Sequence, residues 1–221
     1  MKKIAVELSW VFFVLVRKAK SRLLCLKRAF MVPKLPRNPD GRVLIHLGCG
    51  DVASPEFINV DARPAPHVHY VRDVTDLSVF PDGYADLVYA CHVLEHIPRA
   101  KLKQTLWEWR RILRVGGVLR ISVPGFDKLI SLYQACAKDV QSIQAPLMGR
   151  RMGYESHRVI FNYEYLSGLL AENGFTDIHE WDPAQVKYHD FEDWASRCVE
   201  RNGERFPISL NVEAVKWAVG R

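Results

Sequence analysis

Leu44-Ile45-His46-Leu47-Gly48-Cys49-Gly50-Asp51 is an apolar strand that runs into a turn holding two glycines. Glycine lets the backbone come close to a bound ligand, and in open parallel sheets ligands sit beyond the carboxyl ends of strands. A dinucleotide fingerprint would need a third glycine and a helix N-terminus aimed at pyrophosphate. Here Gly50 is followed by Asp51-Val52-Ala53-Ser54-Pro55, so no phosphate cradle is evident.

Downstream, short apolar runs alternate with helical patterns, the signature of βαβ units and a mainly parallel sheet. Strands are expected at residues 43–47, 57–60, 68–71, 86–90, 118–123, 177–181 and 209–217. Leu102, Leu106, Trp109 and Leu113 share one face of a helix that Pro98 opens and Gly116-Gly117 closes. A second helix is expected from a cap at Asn162 to Gly174, with Leu166, Leu169 and Leu170 turned inward. Residues 126–161 are longer than a simple connection needs, and they follow the fifth strand, so they should cover a site.

The 221 residues have room for one α/β domain plus an appendage. The formal charge of +6 is concentrated at the front. Residues 1–37 hold ten Lys or Arg against Glu7, a net of +9, which leaves −3 for residues 38–221. We therefore divide the chain into a basic and apolar extension with its linker, 1–37, and a domain, 38–221. The apolar run from Ile4 to Val16 would reach about 20 Å as a helix, short of the roughly 30 Å hydrocarbon core. Three placements stand open: in the plane of an anionic membrane surface through residues 4–31, against the chain's own domain or a second copy, or as a signal anchor or cleaved leader. Pro33, Pro36 and Pro39, with Asn38 and Gly41, mark the linker. The five cysteines are an odd number without close spacing, which predicts neither a disulfide framework nor a zinc ligand set, and a reduced cytoplasmic setting follows.

Two carboxylates end successive strands. Asp61, after Phe57-Ile58-Asn59-Val60, could accept from both ribose hydroxyls of a nucleoside. Asp73 could accept from an adenine amino group while Val74 packs on the ring. A lone Asp after a strand is more often a turn or cap residue, and the ordered series is what changes that reading. Leu47-Gly48-Cys49-Gly50, Asn59-Val60-Asp61, Asp73, Ala85-Asp86-Leu87-Val88, His92-Val93-Leu94-Glu95-His96 and the run from Arg110 through Gly116-Gly117 to Pro124 come in fixed order. With His157, residues 169–175 and residues 209–214 as a weaker tail, they resemble the small class I S-adenosylmethionine-dependent methyltransferases of the type 11 kind across residues 42–217.

The resemblance implies an α/β fold: a Rossmann-like, seven-stranded, mostly parallel sheet with helices on both faces and its last strand antiparallel. It implies S-adenosylmethionine as cofactor, held by Leu47, Gly48, Cys49, Gly50, Asp61, Asp73 and Val74. Two departures stand out: His46 occupies a place where many members have an acidic residue, and the third glycine is missing.

His92-Val93-Leu94-Glu95-His96 also spells a zinc peptidase pattern, in which two histidines one helical turn apart bind the metal. That needs a continuous helix, yet a strand ends near Ala90 and Pro98 disfavours helix at Ile97. No metal is expected on this reading. In the methyltransferase reading His92 lies just past the fourth strand, near the methyl group. His92 and His157 are the candidate bases, and Tyr154 and Arg158 the candidate acceptor contacts. Each has a plainer alternative: a cap or packed residue for His92, an exposed loop for the pair His157-Arg158. The acceptor class expected is a small molecule, glycan or glycolipid precursor methylated at oxygen, and nucleic acid is disfavoured because the domain has no basic face. Against the enzyme stand two rivals: a non-catalytic protein of the same fold, and a nicotinamide-dependent oxidoreductase, which the missing glycine opposes.

Overall fold

The run at residues 44–47 forms an interior strand of the sheet, and all four of its residues are buried. A computed structural model describes residues 34–149 and 156–218. The expected extension therefore lies outside the described residues up to position 33, and so does Tyr154.

Strands β1 (Leu44–Leu47), β2 (Phe57–Asp61), β3 (Tyr70–Val71), β4 (Ala85–Cys91), β5 (Leu113–Pro124), β6 (Phe175–Glu180) and β9 (Ser209–Lys216) make one seven-stranded sheet in the order β3-β2-β1-β4-β5-β9-β6. The pairs from β3 through β5 are parallel, and β9 runs antiparallel between β5 and β6. All seven expected strands are present, and the antiparallel one is the last in sequence. A small antiparallel ribbon, β7 (Cys198–Arg201) with β8 (Glu204–Pro207), had no counterpart in the sequence reading. Its strands are four residues each and mostly exposed, so they carry little hydrophobic periodicity.

Helix α1 (Leu102–Ile112) buries Leu102, Leu106, Trp109 and Ile112. It stops one residue before Leu113, which the spacing had placed in the helix. Leu113 is extended and pairs with Ala85 as the first residue of β5. Residues 114–117 then bulge out before Leu87 meets Val118, so the two glycines serve a bulge inside the strand rather than a helix exit. Gly116 takes φ +74 there. The amine of Lys216 on β9 holds the Leu113 carbonyl at 2.6 Å, a contact that no local pattern announces.

Helices α2 (Phe126–Ala135) and α3 (Gln141–Met148) follow β5, and α4 (Tyr163–Glu172) precedes β6. The Asn162 side chain accepts the Tyr165 amide at 3.0 Å, the expected cap. Replacing Asn162 with alanine should cost about 1 kcal/mol in urea unfolding.

On one face of the sheet, α1 and α4 pack on Ile45, Leu47, Ile58, Val60, Val88 and Ile121. On the other, Leu44, Phe57, Leu87 and Tyr89 are covered by Trp181, Phe191 and Ala195 from the connection between β6 and β9. That cover is tied down by polar groups: the Tyr89 hydroxyl donates to Asp193, whose other oxygen lies 3.3 Å from His189 Nε2.

Candidate functional site

The carboxyl ends of β1, β2 and β3 lie side by side, and their loops are bonded to one another. The Gly50 amide donates to Asp61 Oδ2 at 2.8 Å, and the Arg63 amide donates to Asp61 Oδ1 at 2.7 Å. The Arg72 amide donates to the Asp61 carbonyl at 3.0 Å, which draws the chain leading to Asp73 against the end of β2. Asp61 is 7% exposed, and its carboxylate keeps further lone pairs beyond these two bonds.

Gly48 sits at φ +63, and a Cβ there would stand 2.5 Å from Val93 Cγ2, so the first loop and the exit of β4 touch at a point that admits only glycine. Cys49 is buried, and burial pushes its thiol up to about 12, which leaves it a neutral packing group. Asp73 Oδ1 accepts from both the amide and the hydroxyl of Thr75. That is the turn-residue role weighed for an isolated Asp, and it occupies one oxygen only. Val74 is buried, with its carbonyl taken by the Trp109 indole at 2.9 Å.

The acidic position of the first motif is the point of real departure. His46 is 1% exposed and its ring packs among Phe57, Tyr89 and Phe191, on the face away from α1. Burial depresses it to about 4, so it is a neutral ring inside an aromatic cluster. It cannot supply the charge that an acidic residue would.

Beyond β4 the chain turns sharply at His92, whose φ of 52 is uncommon for a side-chain-bearing residue. The Ser209 hydroxyl donates to the Trp194 carbonyl, so the His92 Nε2 contact with Ser209, at 2.8 Å, has the histidine as donor. The His92 Nδ1 atom lies 3.3 Å from Glu95 Oε1, and burial, followed by the neighbouring His157, lowers the ring to about 3. The ring is thus tied to Ser209 through Nε2, with Nδ1 turned toward Glu95.

Residues 94–96 form a short 3-10 turn, not the continuous helix the zinc peptidase pattern requires. Glu95 on that turn is 1% exposed, and burial raises its carboxyl to about 8. His157 approaches from the segment after α3. The Arg158 amide donates to the Glu95 carbonyl at 2.7 Å, His96 Nδ1 lies 3.1 Å from the Ser156 carbonyl, and His157 Nε2 lies 3.9 Å from Glu95 Oε1. His157 therefore joins the exit of β4, whereas the side chain of Arg158 is exposed. The importance of Glu95 was missed in the sequence. The signal was present as an acidic residue in an otherwise apolar Val93-Leu94 turn, but only burial gives it meaning.

Residues 47–121 match a family model described as a methyltransferase domain. No curated protein matches the chain. Among solved structures, the Burkholderia thailandensis 1,6-didemethyltoxoflavin-N1-methyltransferase, with bound 1,6-didemethyltoxoflavin and S-adenosylhomocysteine, is 16% identical over 98% of this chain and 90% of its own, with a TM-score of 0.52. A S-adenosylmethionine-dependent methyltransferase from Archaeoglobus fulgidus is 17% identical over 90% of this chain and 94% of its own, with a TM-score of 0.49. At these identities the likeness is one of fold. The matched segment from β1 to β5 is thus similar to a methyltransferase domain, and the chain as a whole shares the fold of the Burkholderia enzyme.

Proposed function

We propose that the protein transfers the methyl group to a hydroxyl oxygen of a small-molecule, glycan or glycolipid-precursor acceptor. S-adenosylmethionine supplies an electrophilic methyl on a sulfonium that is already a good leaving group. The residues fit that cofactor on one structural ground: Asp61 is a buried carboxylate with lone pairs to spare, tied by Gly50 to the first glycine loop. In this reading Gly48, Gly50 and the backbone at Leu47 and Cys49 line the amino-acid part, Asp61 takes the ribose, and Asp73 and Val74 border the adenine.

The observation that carries an oxygen acceptor is the group of His92, Glu95, His96 and His157 at the exit of β4, next to the Val93–Gly48 contact. A hydroxyl must lose its proton as it is methylated, and an imidazole is suited to take it. His157 is the better placed of the two candidate bases, because His92 gives its Nε2 proton to Ser209 and burial holds its ring down to about 3. Positioning does the rest, since transfer needs the oxygen in line with the breaking bond at about 3–3.5 Å. Arg158, exposed beside His157, and Tyr154 are the acceptor contacts proposed for an anionic or hydroxylated substrate.

A glycan or lipid-linked acceptor suits the basic, apolar front of the sequence, which would bring the domain to an anionic surface. Among the described residues no helix is long and apolar enough to cross a membrane. The test is incubation with methyl-labelled cofactor and fractionated cell extract, followed by mass spectrometry. Label on a hydroxyl of the glycan or lipid-linked fraction is the expected result. Label confined to protein or nucleic acid, or no label at all, overturns the reading.

A further inference from the structure

The sequence pattern that spells a zinc site pairs His92 with His96. The structure breaks that pair, because His92 turns its Nε2 to Ser209, and brings together a different trio. One donor atom from each of Glu95, His96 and His157 lies within 4.8 Å of the others. We propose that Glu95, His96 and His157 hold a divalent transition-metal cation.

Three observations support this site. The first is Glu95 itself, 1% exposed, with neither carboxylate oxygen receiving a hydrogen bond. His92 Nδ1 and His157 Nε2 stand near Oε1, at 3.3 and 3.9 Å, without completing one. A buried carboxyl left without any hydrogen-bond partner is costly even as the neutral acid, and a cation among these groups would give it one.

The second is the orientation of the imidazoles. His96 Nδ1 meets the Ser156 carbonyl at 3.1 Å, and the His157 ring stands 5.0 Å from that of His96, centroid to centroid. A metal-binding histidine nearly always gives its remaining N–H to such a carbonyl, which fixes the orientation of the ring.

The third is rigidity across a long sequence separation. His157 is locked to the Glu95 turn by the Arg158 amide on the Glu95 carbonyl and to α3 by its own amide on the Met148 carbonyl. The donors need only modest closure. Ligands around a tetrahedral zinc stand roughly 3.4 Å apart, given bonds of about 2.0–2.2 Å.

Two imidazoles and a carboxylate suit zinc, cobalt, manganese or iron better than calcium or magnesium, which prefer oxygen. Three protein ligands leave positions open for water or for an oxygen of a substrate. With a cation bound, His157 would act as a ligand and not as the base, and the metal would instead lower the pKa of the oxygen it holds; the test of the site does not depend on methyl transfer.

The experiment uses the full chain stripped with a chelator, dialysed and titrated with Co2+, following visible d–d absorption and bound metal by mass spectrometry. One cobalt per chain, displaced by Zn2+, is expected. Glu95→Gln and His157→Ala should each weaken binding by at least about 100-fold, since loss of even an outer-shell partner costs 10–100-fold. His179→Ala, which removes an exposed histidine on β6, should leave it unchanged. Circular dichroism checks the folding of each variant, and His157→Ala carries the test if the buried Glu95→Gln variant does not fold. Failure of the stripped chain to take up stoichiometric cobalt overturns the proposal. So does binding that folded His157→Ala leaves intact.

Discussion

Asp61→Ala should weaken S-adenosylmethionine binding by about 100-fold or more in titration calorimetry. A hydrogen bond to a charged group contributes roughly 1.5–3 kcal/mol, and the proposed ribose contact supplies two. At about 1.4 kcal/mol per tenfold, even the lower value gives that factor. The carboxylate has a second duty, because it also holds the Gly50 and Arg63 amides in place. Asp61→Asn separates the two. It keeps one carbonyl oxygen for an amide and loses the charge, so it should retain most of the thermal stability while still losing much of the affinity. Binding to Asp61→Ala within about threefold of the parent, less than 1 kcal/mol, would remove Asp61 from the cofactor site.

Trp109→Ala should be the most damaging single change to stability, at about 3–5 kcal/mol in urea unfolding. The side chain is fully buried on α1 against the sheet, and its indole N–H is the donor to the Val74 carbonyl. For a chain of this size such a loss lowers the melting temperature by roughly 10 °C. Trp109→Phe keeps most of the ring volume and leaves the Val74 carbonyl without its indole donor, so the smaller loss should come with weakened cofactor binding if Val74 borders the adenine. Equal affinity in Trp109→Phe and parent would show that the two are uncoupled. A loss below about 1 kcal/mol in Trp109→Ala would mean that the site collapses freely around the missing ring.

The sequence-stated and structure-stated parts of the site divide along a physical line. That Leu47, Gly48, Gly50, Asp61 and Asp73, the proposed cofactor contacts, come near one another could be expected from the chain because each ends or closely follows a strand, and parallel strands put their carboxyl ends on one side. The cap at Asn162 was legible for the same reason: its partner, the Tyr165 amide, is three residues away. His46 was noticed as a departure, but its burial among aromatic rings from β2, β4 and Phe191 depends on a connection that lies far along the chain.

Local order set what could be known in advance: the seven strands, the faces of α1 and α4, and the ordered motifs that carry the resemblance to methyltransferases. Hydrophobic period and capping involve neighbours a few residues apart, so a linear chain displays them. Packing alone settled where Leu113 goes, how the sheet's second face is covered, and that Glu95 is buried beside His157. Those outcomes join segments about 60 residues apart or more, and burial, the quantity that gives a carboxylate or an imidazole its chemistry, exists only once such segments have met.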